Sequence, residues 1–334
     1  MNNSKKIKEW GNISSDYYLK KSILDVVYKI CRAVLLFGLC FLILQPLLDK
    51  LSVSLMVWND IYDGTVISIP RTLTTMNYSR VSSLMNYWSS LFQTVLIVTS
   101  SALLQISACT LAGYGFARFK FPLKNFWFFC VMLIIVVPPQ TIMASLYLNF
   151  RFFDIFGIFK LLSGRPINLL NSVLGLFLLS ATGMGLKSGL YIFMLRQYFR
   201  GMPKELEEAA WVDGCGKFKT FIRIMLPDAM PMLTSCFLFS FVWQWTDSFY
   251  STLFLTNYRM LARGLAGLAE RFSVWYAQVY IATGSGGVSA FAPVALTQMM
   301  IATGVLMSLA PLILLYLVAQ KAFVESLSQT GIKM

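Results

Sequence analysis

The chain has 334 residues, of which 57% are apolar and only 13% charged, with no histidine and a formal charge of +13. A charged fraction about half the ~25% usual in soluble domains excludes an ordinary globular enzyme and predicts an all-α, polytopic membrane protein. The absence of histidine excludes imidazole metal sites, Ser-His-Asp or Cys-His nucleophiles and histidine proton relays.

Residues 1–32 are mostly polar and precede the first apolar run without a small-residue cleavage site, which predicts a retained anchor after an N-terminal segment. A bilayer core takes about 20 apolar residues per helix. On that length the sequence predicts six spans near 33–49, 89–113, 126–146, 169–195, 230–256 and 296–319, with a tail at 320–334. Pro138-Pro139 in the third span predicts a kink or break. Residues 272–283 are uncharged but too short to cross, and GSGG follows at 284–287, so this stretch is placed outside the membrane.

Lysine and arginine orient the spans. Eighteen lie in 1–32, 114–125, 196–228 and 320–334, nine in the loops 50–88, 147–168 and 257–295, and Lys187 falls within a span. The twofold excess places both termini and the 196–228 loop in the cytoplasm of a multi-pass cell-membrane protein. The same distribution accounts for the basic charge, so no nucleic-acid partner is expected. The six cysteines form no CxxC pair and lie in spans or on the cytoplasmic side, where disulfides are not expected.

The most informative loop is PKELEEAAWVDGCGKFKTFIRIMLP, 203–227. Pro203 suits a helix start, and Glu205, Glu207 and Glu208 suit a first turn. Gly214 and Gly216 bracket a break. Phe218, Phe221, Ile222 and Met225 then recur at helical spacing, and Pro227 closes the element. By periodicity this is a helix-turn-helix, equally consistent with a basic amphipathic hairpin resting on lipid. GCGKFKT (214–220) holds a Gly-Lys pair but is not GxxxxGK[ST], because Trp211 and Phe218 occupy required positions. The chain therefore lacks a phosphate-binding loop of its own.

In the fifth span, Trp243, Gln244, Trp245, Thr246, Asp247 and Tyr250 cluster near the midpoint. A mid-membrane aspartate costs about 2.5–3.5 kcal/mol on insertion scales, so it is expected to face a wet cavity or a partner. On a continuous helix, Trp243, Asp247 and Tyr250 share one face. Aromatic rings beside a carboxylate suit a sugar; the same face also suits packing on another subunit. Lys187 is the other intramembrane charge, a candidate path or gating residue that would line the cavity, pair with Asp247 or snorkel. Gly183, Gly185, Ser188 and Gly189 around it allow close helix packing.

The order Glu208-Ala209-Ala210, then Gly214, then Ile224-x-Leu226-Pro227 resembles the EAA motif of ABC importer permeases. AGYGFARFKFP (112–122), NFRFFDIFG (149–157), LRQYFRGMPKELEEAAWVDG (195–214), WQWTDSFY (243–250) and QKAFVESLSQTGIKM (320–334) are similar to the carbohydrate-uptake, maltose-permease-like branch of that family. The resemblance implies a type I importer permease fold and a non-catalytic transport subunit for a sugar or oligosaccharide. It also implies three partners: a second homologous permease, a cytoplasmic ABC ATPase dimer carrying ATP and Mg, and an extracytoplasmic solute-binding protein. Glu208, Ala209, Ala210, Gly214, Phe218, Phe221 and Pro227 would then form the ATPase-coupling surface. Phe218 and Phe221 would alternatively hold the hairpin on its own membrane helices. A non-sugar solute, or an ATPase-independent secondary transporter, are the alternative readings of the chain.

Overall fold

The computed structural model describes residues 3–66, 69–154, 157–282 and 292–331, with side chains inside 24–321 apart from 162–163 and 280–282. The GSGG stretch at 284–287 and the tail residues 332–334 lie outside the described residues. The chain divides into two units, 1–74 and 75–334.

The first unit is dominated by one helix, α1 (Asn3–Leu55). Its segment Leu24–Leu55 is long and apolar enough to cross a membrane, rising about 48 Å at 1.5 Å per residue. The helix thus begins well before the apolar run at residue 33, because lysine and leucine favour helix on either side of a polarity boundary. After α1 the chain turns back on itself. The Asp60 carboxylate accepts the N–H groups of Arg71 (3.1 Å) and Thr72 (3.3 Å), and Arg71 pairs with Asp63 at 2.9 Å.

The second unit opens with α2 (Met76–Met85) and α3 (Tyr87–Arg118). Next come α4 (Lys124–Val136) and α5 (Met143–Arg151), which meet at 100° across Pro138-Pro139, where the missing N–H and the proline rings end the first helix. Short helices α6 (Ile158–Ser163) and α7 (Val173–Ala181) lead to α8 (Ser188–Gly201). The predicted fourth span, 169–195, is therefore two helices separated at 182–187. A hairpin follows: α9 (Glu205–Val212), then α10 (Lys217–Thr220), a π turn (Phe221–Met225) and α11 (Leu226–Asp228) in one helical run. That run bends by 74° into α12 (Met230–Thr246). The chain ends through α13 (Phe249–Phe254), α14 (Leu261–Ala266), α15 (Leu268–Ala282) and α16 (Val294–Gly331). No strand occurs among the described residues, only isolated bridges.

Helix α3 is the axis of this unit, packed against α7, α8 and α12, while α4 covers α8 and α16 lies on α2, α12 and α15. Its buried face carries Ser90, Thr94, Ser101 and Gln105 in a row of small or polar side chains, the composition that lets membrane helices approach closely and bond across the contact. Between α4 and α8 the approach is closest at Gly189, where a β-carbon would stand 2.8 Å from the Val131 carbonyl oxygen. Helices α3 and α16 each contain a segment long and apolar enough to span, and the bent pairs α4–α5 and α10–α12 are two further candidates.

Candidate functional site

Two arrangements concentrate the chemistry: the hairpin 205–228, seated on the Arg118 end of α3, and a polar cluster further along α3 where the α7–α8 break meets α12.

The hairpin has an inner and an outer face. On the inner face Glu207 is 5% exposed. Its Oε1 accepts the Tyr114 hydroxyl (2.9 Å), and its Oε2 lies 3.4 Å from Arg118 Nε. Arg118 also donates to the Met202 carbonyl at 2.9 Å, holding the turn that enters α9. Phe221 and Met225 are buried against Tyr114, Phe199, Tyr191 and Cys236, with the Phe221 and Tyr114 rings 4.6 Å apart. Tyr198 donates its hydroxyl to the Asp228 carbonyl. Ala210 is buried, and its carbonyl accepts the Cys215 N–H, closing the turn. At that turn Gly214 has φ of 79°, the left-handed conformation that an L side chain resists.

The outer face carries Glu205, Glu208, Ala209, Trp211, Val212, Phe218 and Pro227, all exposed, with Phe218 at 73% and Val212 at 88%. Phe218 and Phe221 therefore differ in burial although both belong to the apolar stripe of the sequence and both border one apolar cleft between the hairpin, α3 and α12. Pro203 lies before the first turn rather than in it, since α9 starts at Glu205. Glu207, which the sequence marked only as one of three acids favouring a helix start, is the buried anchor. Its signal was available in principle, in Tyr114 and Arg118 spaced one helical turn apart in AGYGFARFKFP.

The polar cluster centres on Gln105, which is fully buried. Its Nε2 donates to the Leu186 carbonyl (2.7 Å) and Ser188 Oγ (2.6 Å). Its Oε1 accepts from Ser240 Oγ (2.6 Å) and Gln244 Nε2 (2.7 Å). Two donors and two acceptors exhaust the capacity of the amide, so α3, the α7–α8 break and α12 are joined through one side chain. Ser101 and Ser180 add a second link between α3 and α7 at 2.6 Å. Sequence reading selected Gln244 and passed over Gln105, a lone amide in an apolar run.

The residues of the predicted fifth span do not share one face. Helix α12 ends at Thr246, and Asp247 is extended (ψ 118°). Its carboxylate accepts the N–H groups of Phe249 (3.3 Å) and Tyr250 (2.9 Å), capping α13. Gln244, Asp247 and Tyr250 turn inward to a cavity closed on the other side by Ser180, Gly185 and Leu186. It measures about 20 Å³, room for one water. Trp243 instead faces outward, 46% exposed, with Lys187 Nζ 5.1 Å from its ring centroid. Lys187 has φ of 62° at the start of α8. Among the described residues the ion pairs are Arg71–Asp63 and Arg118–Glu207, so Lys187 is paired with the indole and not with Asp247. No group of three or more acids or cysteines placed to hold a metal occurs among the described residues.

Residues 109–328 match the family described as binding-protein-dependent transport system inner membrane component. The chain belongs to that family. Its relatives include a probable ABC transporter permease of Pyrococcus horikoshii, 30% identical over 66% of this chain and 74% of that protein. The arabinooligosaccharide transport system permease AraQ of Halalkalibacterium halodurans is 25% identical over 88% of this chain and 93% of its own length. In three dimensions the inner membrane component superposes on a chain of a bacterial ABC transporter involved in import of the acidic polysaccharide alginate, at TM-score 0.66 and 20% identity, covering 90% of this chain and 97% of that one. The all-α polytopic architecture is thus that of an ABC importer permease. The chain is a membrane permease subunit of an ABC importer.

Proposed function

We propose that this chain is a permease subunit of an ATP-driven importer for a sugar or oligosaccharide, with the 205–228 hairpin as its coupling element. The observation that carries the reading is the two-faced hairpin: Glu207 and Phe221 tie it to α3, while Glu208, Ala209 and Phe218 stand exposed. A surface resting on lipid would have no use for exposed carboxylates and a buried ion pair behind them. A cytoplasmic ABC ATPase dimer, carrying ATP and Mg, would dock on Glu208, Ala209 and Phe218. Gly214 and Ala210 would shape the turn, and Pro227 would set the exit into α11.

Movement of the hairpin would pass through the Glu207–Arg118 pair to α3 and from α3 through Gln105 to α12. Both termini and the 196–228 loop would be cytoplasmic on the lysine and arginine distribution. A second homologous permease would complete the path, and an extracytoplasmic solute-binding protein would deliver the solute. Trp243 at the end of α12 and Lys187 at the start of α8, both outward, would line that path, with Gln244, Asp247 and Tyr250 behind them around the small cavity. Support for a saccharide comes from the arabinooligosaccharide permease among the relatives and from aromatic rings placed beside polar groups.

The test is reconstitution in vesicles with a co-purified ATPase and binding protein. Uptake of labelled oligosaccharide should require ATP and be lost in Glu208→Ala. Uptake that persists without any ATPase would exclude this function.

A further inference from the structure

A second, unassigned polar site lies at the opposite end of α3 from the hairpin. Arg259, Arg263 and Arg271 line a cleft of about 200 Å³ together with Asn86, Ser90 and Tyr258. Every other residue of its lining is neutral, so three arginines border one concavity with no carboxylate in its wall. Neither ion pair among the described residues involves any of the three. Glu270, the adjacent acid in sequence, is exposed and takes no part in the lining.

Arg259 and Arg271 are exposed and Arg263 is half-buried, and backbone bonds hold the cleft in place. Arg263 Nη1 donates to the Leu255 carbonyl at 2.7 Å, and Arg271 Nη1 to the Leu84 carbonyl at 3.2 Å. Each of these bonds uses one nitrogen of a planar five-donor group and leaves the remaining donors free. The backbone beneath is pinned to α3, with Arg259 N–H donating to Gln93 Oε1 (2.9 Å) and Leu261 N–H to the Thr94 hydroxyl (3.0 Å). Like charges gathered around one cavity repel, and a shared oxyanion removes that cost while accepting forked hydrogen bonds.

We infer that this cleft is an oxyanion-binding site that takes a carboxylate or phosphate group. On the orientation proposed above it opens at the extracytoplasmic end of the permease. Two sources offer that chemistry there: the headgroup of an anionic phospholipid, or the acid group of a uronic saccharide. The site itself stands independently of the ATPase and coupling assignments.

The experiment uses the full chain in nanodiscs and needs no ATP. In phosphatidylcholine discs, binding of digalacturonate is measured by calorimetry, with neutral galactobiose as control. In discs containing phosphatidylglycerol, retained lipid is counted by native mass spectrometry. The cleft should bind at least one probe. Arg259→Gln should weaken that binding at least tenfold, and Arg259→Lys should recover only part of it because the fork is lost. Among the described residues the Arg259 side chain makes no bond to the backbone, so its replacement leaves the bonds of Arg263 and Arg271 in place. Loss of digalacturonate binding identifies a saccharide acid, whereas loss of retained phosphatidylglycerol identifies a lipid. Absence of binding by both probes, or binding that is unchanged in Arg259→Gln, overturns the site. Intact oxyanion binding in a chain that never engages an ATPase would instead count against the coupling assignment alone.

Discussion

The Glu207 carboxylate and the Arg118 guanidinium form a buried pair, 3.4 Å apart and each with a side chain only 7% exposed. They join the first helix of the hairpin to the end of α3. The next residue, Glu208, is exposed. Two adjacent glutamates thus have unlike surroundings, and they should have unlike phenotypes.

Glu207→Ala leaves a guanidinium buried without its counter-ion and should destabilise the chain by about 3 kcal/mol. Combining Glu207→Gln with Arg118→Met removes both charges and should restore part of the loss. Thermal unfolding in detergent reads both effects. A Glu207→Ala protein as stable as wild type would show that the pair does not hold the hairpin.

Glu208→Ala, by contrast, should change stability by less than about 0.5 kcal/mol, as exposed substitutions do. Solute-stimulated ATP hydrolysis in the assembled transporter should nonetheless fall steeply. Equal hydrolysis by mutant and wild type would remove Glu208 from the coupling surface.

At Gly214 the constraint is backbone conformation, not space: φ is 79° and nothing stands within 4 Å of a β-carbon built there. Gly214→Val should cost about 1–3 kcal/mol and uncouple transport, whereas Gly214→Asn, which tolerates the left-handed region, should keep most activity. If the two substitutions scored alike in an uptake assay, size and not φ would be the cause.

Gln105→Leu deprives Ser188, Ser240, Gln244 and the Leu186 carbonyl of a partner. Since membrane hydrogen bonds average about 0.6 kcal/mol each, the loss should total roughly 1–3 kcal/mol. Differential scanning of the purified chain would reveal it as a lowered melting temperature. An unshifted midpoint would mean that the network rearranges around water.

Asp247→Asn combined with Trp243→Ala should impair uptake while leaving assembly intact, because the amide keeps one acceptor for the α13 N–H groups. Lys187→Met removes a cation–π contact of about 0.5–2 kcal/mol and should weaken apparent solute affinity several-fold. Saturation curves for labelled oligosaccharide in vesicles give both numbers. Wild-type kinetics in both variants would place the path elsewhere.

Much of this architecture can be read from residue order alone. Apolar runs mark helix-rich segments, Pro138-Pro139 marks the break between α4 and α5, and Glu208-Ala209-Ala210 with Gly214 marks the hairpin. These are local features, each set by a few neighbouring residues or by the length of one segment. The fifth apolar run misleads because a stretch of apolar residues does not reveal whether the helix continues through it. Asp247 satisfies two backbone N–H groups better than a mid-helix position would allow, so α12 stops and Trp243 parts from Asp247 and Tyr250.

By itself the sequence determined the class of protein, the apolar segments, the turn chemistry of the hairpin and the family resemblance. Only the tertiary structure decided which of three neighbouring glutamates is buried, that one glutamine on α3 bonds to residues 81 to 139 positions away, and that three dispersed arginines share a cleft. The reason is physical: helix propensity and capping act over a turn or two of chain. Burial, ion pairing and amide satisfaction depend instead on which helices pack together, and that packing is settled by the whole bundle at once.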